Sequence, residues 1–297
     1  MKHISDLHLA PLKGFTDVAF RSLISKTGRI VCYSEMIHSS AIISKKVPEF
    51  IINRGYCKDF GIQLFGNSEK ELIKSAKILE KKYECDFINF NFGCPDKNIL
   101  KSKSGGYWLK DIERLINFSK MCKKELAIPF SFKTRLGYEK SITSEFVKLN
   151  VDELIVHCRT VKQGFSGKAK YEDIYKLKEI TNFPIIGNGD IFHAQDYYSK
   201  KRNLDGIMIG RGALRNPSIF SEIQSNKKIS KIKLFYNYLE LAEEFKIEFK
   251  RIKQLSYIFT KETKNAKKLR TEINKSKSIE EIKKIILKIE EQTNTNQ

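Results

Sequence analysis

The chain has 297 residues, which is enough to bury the core of a domain of about 220 residues and of a small appendage. Its 55 Lys and Arg residues outnumber its 35 Asp and Glu residues and give a formal net charge of +20. A charge of this size favours polyanionic partners, with nucleic acid first among them. A Lys-biased but merely solvated surface is the alternative, so charge alone does not decide the function.

The cysteines and the apolar segments suggest the compartment. The six cysteines are dispersed and form no C-x-x-C pair, so we expect neither a metal site nor a disulfide framework. No segment resembles a signal peptide, and no apolar stretch approaches the roughly 20 residues of a membrane span. We therefore expect a cytoplasmic protein that does not enter a membrane.

Eight short apolar runs with strand character alternate with segments of helical periodicity. The runs are Leu7–Leu12, Ile30–Met36, Phe60–Gly66, Phe87–Gly93, Phe130–Leu136, Glu153–Arg159, Pro184–Asp190 and Asp205–Arg211. The helical segments include Glu69–Lys82, Asp111–Lys124, Thr143–Leu149 and Tyr171–Ile180. Eight such units favour an α/β fold of the closed (β/α)8 TIM-barrel type over a doubly wound sheet, which typically has about five or six strands.

The pattern changes after about Ser221, and from Lys231 onward it is helical and rich in Lys, Glu, Ile and Leu. We therefore predict a catalytic barrel over residues 1–222 and a small all-helical domain over residues 223–297.

Polar residues are concentrated where the predicted strands end, which is where barrel enzymes carry their active sites. They include Lys13, Gln63, Asn91, Lys133, Arg135, His157, Arg159, Asn188, Asp190 and Arg211. The last two strands end in Gly-Asn-Gly-Asp and Gly-Arg-Gly, sequences that suit a phosphate held by loop amides. Each glycine by itself could serve only a turn, and Arg211 could be a surface ion-pair residue.

Lys133 and Cys94 are the most informative of the candidate residues. Lys133 interrupts an apolar strand, so its charge needs an anionic ligand or a path to solvent. Cys94 follows the fourth strand between Gly93 and Pro95, and a thiol with the ordinary pKa of about 8.5 stays protonated at pH 7. It could donate a proton, although a lone cysteine is more often a small buried apolar residue. His157 could be a packed residue or a ligand contact.

Eight motifs in this order resemble the dihydrouridine synthase family and cover essentially the whole barrel. They are Ala10–Asp17, Ser34–Met36, Gln63–Gly66, Asn91–Pro95, Lys133–Gly137, Val156–Thr160, Gly187–Asp190 and Gly210–Leu214. The segment Phe249–Lys277 is similar to the helical domain of the same family. Leu12, Lys13, Cys158 and the pair Tyr107-Trp108 depart from the pattern without removing a catalytic group.

The resemblance implies a flavoenzyme that reduces a uridine of tRNA to 5,6-dihydrouridine. In such an enzyme NADPH reduces FMN, the flavin delivers hydride to C6 of uracil, and Cys94 protonates C5. The implied substrate contacts are Asn91 and Arg135. The implied FMN contacts are Pro11, Leu12, Lys13, Gln63, Lys133 and His157, with the phosphate near Asn188, Gly189, Asp190, Gly210 and Arg211.

The helical tail has the composition of an RNA-binding surface. Residues 245–277 contain eleven Lys and Arg against three acidic residues, with Tyr257 and Phe259 interleaved. A substrate uridine must be extruded from folded tRNA, so the RNA has to be held while the base leaves its stack. We therefore expect phosphate contacts from Lys250, Arg251, Lys267 and Lys268.

A monomer is the default expectation. An FMN barrel that reduces a small free pyrimidine is the alternative function.

Overall fold

The computed structural model describes residues 5–261 and 266–294. Parallel strands form a closed barrel, since the first strand pairs with both the second and the last. The strands are β1 Leu7–Leu9, β2 Val31–Tyr33, β3 Ile37–His38, β4 Asp59–Phe65, β5 Phe87–Asn91, β6 Phe130–Arg135, β7 Glu153–His157, β8 Ile185–Asn188 and β9 Gly206–Ile209. The predicted TIM-barrel fold is confirmed.

One barrel strand is divided into two pieces. β2 and β3 both pair in parallel with β4, and residues 34–36 between them leave the strand geometry. Ser34 stays attached to β4 through two hydrogen bonds, because its amide donates to the carbonyl of Gly61 and its hydroxyl accepts from the amide of Gln63. β2 and β3 therefore count as one strand of an eight-stranded barrel, and Glu35 lies in the break between them.

Helices follow the strands around the outside of the barrel. They are α1 Val18–Ser25, α2 Ser39–Ile43, α3 Glu49–Ile52, α4 Glu69–Lys82, α5 Lys97–Lys101, α6 Ile112–Glu125, α7 Glu172–Ile180, α8 Ala194–Lys201, α9 Arg211–Arg215 and α10 Ile219–Ser225. The predicted segment Thr143–Leu149 is instead a 3-10 helix over Thr143–Lys148, in which the amide of Glu145 bonds the carbonyl of Ile142.

The sequence of α4 shows why these segments are helical. Ser68 caps its amino terminus by accepting from the amide of Glu71, and acidic residues fill its first turn. Leu72, Ala76 and Leu79 recur at spacings of three and four and are fully buried. The helix therefore packs its apolar stripe on the barrel and ends on lysines that suit its carboxyl terminus.

The core has two layers. A small cluster fills the barrel interior and includes Val31, Tyr33, Phe87, Ile155 and Met208. A much larger cluster lies between the strands and the surrounding helices and continues into the carboxyl-terminal region.

Four further helices complete the described chain: α11 Lys231–Glu244, α12 Phe249–Phe259, α13 Ala266–Lys275 and α14 Ile279–Asn294. Tyr238 of α11 donates a hydrogen bond to Asp17 at the start of α1, and Phe259 of α12 stacks on Phe235 at 5.1 Å. All three aromatic side chains are fully buried, so the helical region docks firmly on the barrel. Within the described residues, no helix has the length and apolar character needed to cross a membrane.

Candidate active site

A cavity of about 450 Å3 opens at the carboxyl ends of the barrel strands. The strand register brings its polar residues together, because Asn91 is the partner of Lys133, and His157 is the partner of both Arg135 and Asn188. The loops that follow the strands supply the remaining walls. The volume is that of a typical small-molecule site.

A ladder of side-chain amides supports one wall of the cavity. Asn91 donates to Gln63 Oε1 at 2.9 Å, and Gln63 in turn donates to Asn89 Oδ1 at 2.6 Å. Asn89 continues the ladder to the hydroxyl of Ser131. Gln63 is fully buried behind Asn91 and does not line the cavity. Because each amide fixes the next, the ladder sets the orientation of Asn91.

Cys94 lies on the cavity wall directly after this ladder. The Oδ1 atom of Asn91 accepts from the amides of Gly93 and Cys94 at 3.1 and 3.0 Å. The carbonyl of Cys94 accepts from the amide of Gly106. A Cβ atom on Gly106 would lie 3.0 Å from that carbonyl, so the close approach requires glycine. Burial raises the pKa of the half-buried thiol, which therefore carries its proton at neutral pH.

Cationic groups face this cavity from β6. Burial lowers the pKa of Lys133 to about 8, with Arg135 adding repulsion. The Nζ atom of Lys133 donates to Asn188 Oδ1 at 3.2 Å, and among the described residues no carboxylate pairs with it. The guanidinium of Arg135 donates instead to the carbonyls of Gly93, Thr160 and Gly164. The wall thus presents positive charge that an anionic ligand would compensate.

His157 adds an unpaired ring nitrogen to the same wall. Burial and the neighbouring cations hold the pKa of His157 well below its ordinary value, so the ring is neutral. Its Nδ1 atom is buried without a hydrogen-bond partner among the described residues. Such an orphaned polar atom costs free energy, and a bound ligand would remove that cost.

Asp190 organises the loop after β8. Its carboxylate accepts from Arg159 at 2.7 Å and from the amide of Ala169 at 2.9 Å, and Arg211 lies 3.3 Å away. Although burial opposes ionisation, these partners lower the pKa of Asp190 below its ordinary range. The side chain is therefore engaged with the protein, and it fixes Arg211 at the rim beside Gly210.

The loop after β1 forms the opposite rim through Pro11, Leu12 and Lys13. The amide of Leu12 donates to Thr16 Oγ1 at 2.9 Å, which closes the loop on itself. Lys13 is exposed at this rim, so its ammonium reaches solvent beside the cavity.

Sequence comparison identifies the family of the chain that forms this cavity. The family model described as dihydrouridine synthase (Dus) matches residues 8–297. The chain belongs to the dihydrouridine synthase family. It is 34% identical over 234 residues to a probable tRNA-dihydrouridine synthase of Aquifex aeolicus, covering 74% of this chain and 73% of that protein. It is 31% identical over an alignment of 322 positions to the tRNA-dihydrouridine(16) synthase of Neisseria meningitidis serogroup B, covering 97% of this chain and 95% of that protein.

Solved structures share the fold of this dihydrouridine synthase family member at low sequence identity. The 6-hydroxypseudooxynicotine amine oxidase of Pseudomonas geniculata N1 superposes with a TM-score of 0.58 at 13% identity, over 80% of this chain and 51% of that one. A morphinone reductase variant in complex with tetrahydroNAD gives 0.51 at 10% identity, over 76% and 88%.

The cavity of this family member contains all but one of the catalytic, cofactor and substrate contacts that the family resemblance implied. It is lined by Pro11, Leu12, Lys13, Asn91, Cys94, Lys133, Arg135, His157, Asn188, Gly189, Asp190, Gly210 and Arg211, whereas Gln63 lies behind the wall. The sequence analysis missed Phe165 and Phe192, whose rings lie 4.9 and 5.7 Å from the Arg211 guanidinium. The glycines at 164 and 167 around Phe165 were the available signal of a shaped loop.

A shallower groove of about 850 Å3 between α4 and α6 is lined by lysines and apolar side chains, and its single carboxylate, Glu125, pairs with Lys77. It offers no acid, base or nucleophile comparable to those in the barrel mouth. Across residues 5–261 and 266–294, no three His, Cys, Asp or Glu side chains are grouped so that they could hold a metal ion.

The helical region carries part of the expected basic surface. Lys250, Lys267 and Lys268 are exposed, as is Tyr257. The expectations for Arg251 and Phe259 were wrong. Arg251 is ion-paired with Asp17 and Glu35 of the barrel, and Phe259 is buried in the core of the helical region.

Proposed function

We propose that this protein is an FMN-dependent tRNA-dihydrouridine synthase that reduces a uridine of tRNA with NADPH. The observation that carries the proposal is that the Cys94 thiol and the Lys133 ammonium line one cavity in a member of this family. The thiol provides a proton, and the ammonium provides a site for an electron-rich group. We further propose that the protein acts as a monomer in the cytoplasm, in agreement with its unpaired cysteines.

The residues of the cavity fit a flavin mononucleotide. Lys133 lacks a carboxylate partner and the Nδ1 atom of His157 lacks any partner among the described residues, so both suit the polar edge of an isoalloxazine ring. Asn188, Gly189, Gly210 and Arg211 would hold the phosphate. Pro11, Leu12 and Lys13 would cover the ring from the β1 loop, and Gln63 would act through Asn91. When bound, FMN supplies the hydride that adds to C6 of uracil and takes its electrons from NADPH.

Cys94 completes the reduction by giving its proton to C5 of the uracil. Burial keeps the thiol protonated, so it is ready to act as a general acid at neutral pH. The resulting thiolate lies within the field of Lys133 and Arg135, which favours the anion until solvent returns the proton. The double bond of uracil thereby receives one hydride and one proton, and the reaction balances.

Asn91 and Arg135 would orient the base. The amide nitrogen of Asn91 has a second hydrogen, which makes only a weak contact with the Met36 sulfur at 3.8 Å. That hydrogen can donate to a uracil carbonyl. Three carbonyls accept from the Nε and Nη1 atoms of Arg135, and no described residue bonds Nη2, which would be left for the substrate. Both residues would therefore recognise the base while holding the Cys94 loop in place.

Nucleotide-resolution mapping of dihydrouridine tests the proposed function. Unmodified tRNA is incubated with the purified protein, FMN and NADPH, and cellular tRNA is compared with and without the protein. We expect dihydrouridine to be lost at a defined tRNA position when the protein is absent and restored by the purified protein. Reduction of free uracil or uridine with no change in tRNA would support a small-pyrimidine reductase instead.

A further inference from the structure

Glu35 is a buried carboxylate that the proposed reaction does not use. It lies in the break between β2 and β3, is 2% exposed and does not line the cavity. A buried charge is costly unless partners compensate it. Each of its oxygens has such a partner, because Oε2 accepts from the amide of Gly14 at 2.8 Å and Oε1 accepts from the guanidinium of Arg251.

The first partner belongs to the rim of the cavity. Gly14 ends the loop that places Pro11, Leu12 and Lys13 at the cavity, and its φ of +85° is accessible mainly to glycine. A Cβ atom at this position would lie 3.2 Å from Nε2 of Gln254 on α12. The loop is therefore confined between Glu35 on one side and α12 on the other.

The second partner belongs to the helical region. Arg251 is one turn before Gln254 on α12, so both residues face the barrel. Its guanidinium lies 3.7 Å from Asp17 and 4.8 Å from the centre of the Phe50 ring. The side chain of Arg251 is 15% exposed and contacts barrel residues, whereas Lys250, the residue before it, is exposed.

We propose that Glu35 is a positioning residue through which α12 holds the Pro11–Gly14 loop in the shape that the cofactor requires. The connection runs from Arg251 to Glu35 and from Glu35 to the amide of Gly14, so the docking of the RNA-binding region sets one rim of the cavity. This inference rests on the proposed function, since it takes the cavity as the flavin site and α12 as part of the RNA-binding region.

The test compares the full-length protein with its Arg251→Met and Glu35→Gln variants. Hydrogen exchange reports directly on the Gly14 amide, and titration with FMN gives the dissociation constant and the visible spectrum of the bound flavin. We expect Arg251→Met to raise both the exchange rate and the dissociation constant about tenfold, because a charge-assisted hydrogen bond is lost. Glu35→Gln keeps one acceptor oxygen for Gly14 and should have a smaller effect of the same sign.

Two controls separate positioning from simple stability. Lys253→Met removes an equal charge from α12, but its ammonium bonds Asn274 rather than the barrel. Asp17→Asn removes the other carboxylate near Arg251 and the oxygen that accepts from Tyr238, so it weakens docking without breaking the link from Glu35 to Gly14, and it keeps the oxygen that caps α1. Both variants should retain the Gly14 exchange rate and the flavin spectrum of the unaltered protein.

The outcomes distinguish this inference from the proposed function. If Arg251→Met lowers the melting temperature but leaves the Gly14 exchange rate and FMN affinity unchanged, Glu35 only joins the two regions and the inference is wrong. If the unaltered protein binds no FMN, the proposed function fails, whereas the exchange of Gly14 still shows whether Arg251 controls the loop.

Discussion

The side-chain oxygen of Asn91 accepts a hydrogen bond from the backbone amide of Cys94 at 3.0 Å. Asn91 is the last residue of β5, so the barrel itself fixes where the loop with the thiol begins. The nitrogen of the same Asn91 side-chain amide donates to Oε1 of Gln63. A residue that faces the substrate cavity thus also positions the proposed proton donor.

Replacing Cys94 separates cofactor binding from proton transfer. We expect Cys94→Ala to retain yellow FMN and to lose turnover on tRNA by at least about 100-fold, because a positioned general acid is removed. Flavin absorbance and dihydrouridine formation under single-turnover conditions measure the two properties. Turnover equal to that of the unaltered protein would remove Cys94 from the mechanism.

The pH dependence of turnover follows from the same thiol. Because burial raises the pKa of Cys94, the acidic form persists above the ordinary cysteine pKa of about 8.5. At saturating FMN, the rate of uridine reduction should therefore hold past that pH and decline only as pH rises through the raised pKa. A decline that begins near pH 7 would contradict this assignment.

Lys133 should make flavin affinity depend on pH. Burial lowers the pKa of Lys133 to about 8, so the empty site carries a neutral amine at higher pH. An electron-rich ligand raises that pKa again, and binding above pH 8 must take up a proton. We expect affinity for FMN to fall as pH rises above 8, by up to about tenfold per pH unit.

Two variants check the assignment to Lys133. Lys133→Met should bind FMN weakly, and its FMN affinity should no longer depend on pH between pH 7 and pH 9. Arg211→Met should also bind FMN more weakly, but its affinity should still depend on pH, since Lys133 remains. Isothermal titration at several pH values measures both, and an unaltered dependence in Lys133→Met would assign the titration to another group.

Trp108 should be a stability residue rather than a substrate contact. It is 1% exposed, its ring centre lies 4.7 Å from that of Phe92, and its indole donates to the carbonyl of Gly66. We expect Trp108→Ala to lower the free energy of unfolding by about 3–5 kcal/mol, because a large buried side chain is lost. Denaturant unfolding measures this, and Tyr107→Ala, at the half-buried neighbouring residue, provides the comparison.

The sequence predicted the barrel because each strand is a short apolar run that ends in polar or glycine residues. It could not predict the break in the second strand, since Ile30 to Met36 is typical of one continuous strand, with Glu35 inside it. Nor could alternation along β4 show that Gln63 lies behind the cavity wall, because the burial of a parallel strand on both faces removes the pattern.

Arg251 shows why the basic surface was only partly predictable. It follows Lys250 in a run of basic residues, and composition does not distinguish the two. Its partner Glu35 is 216 residues away along the chain, so the ion pair exists only once the helical region docks on the barrel. The register of a helix against a distant surface decides which lysines and arginines stay free.

The exposed lysines Lys250, Lys267 and Lys268 should contribute to the binding of tRNA. Changing all three to Met should raise the Michaelis constant for tRNA and flatten its salt dependence, because each phosphate contact contributes about 0.7–0.9 to the log–log slope. Oxidation of NADPH in the absence of tRNA should not change, since none of the three lysines lines the cavity. The matched control changes Lys81, Lys82 and Lys124 in the groove between α4 and α6 and removes the same charge from another face.

If both triple variants lower the salt slope equally, the whole +20 field attracts tRNA and the helical surface has no special role. A loss confined to the first variant would assign the contact to α12 and α13, and with it the side of the cavity over which the RNA lies.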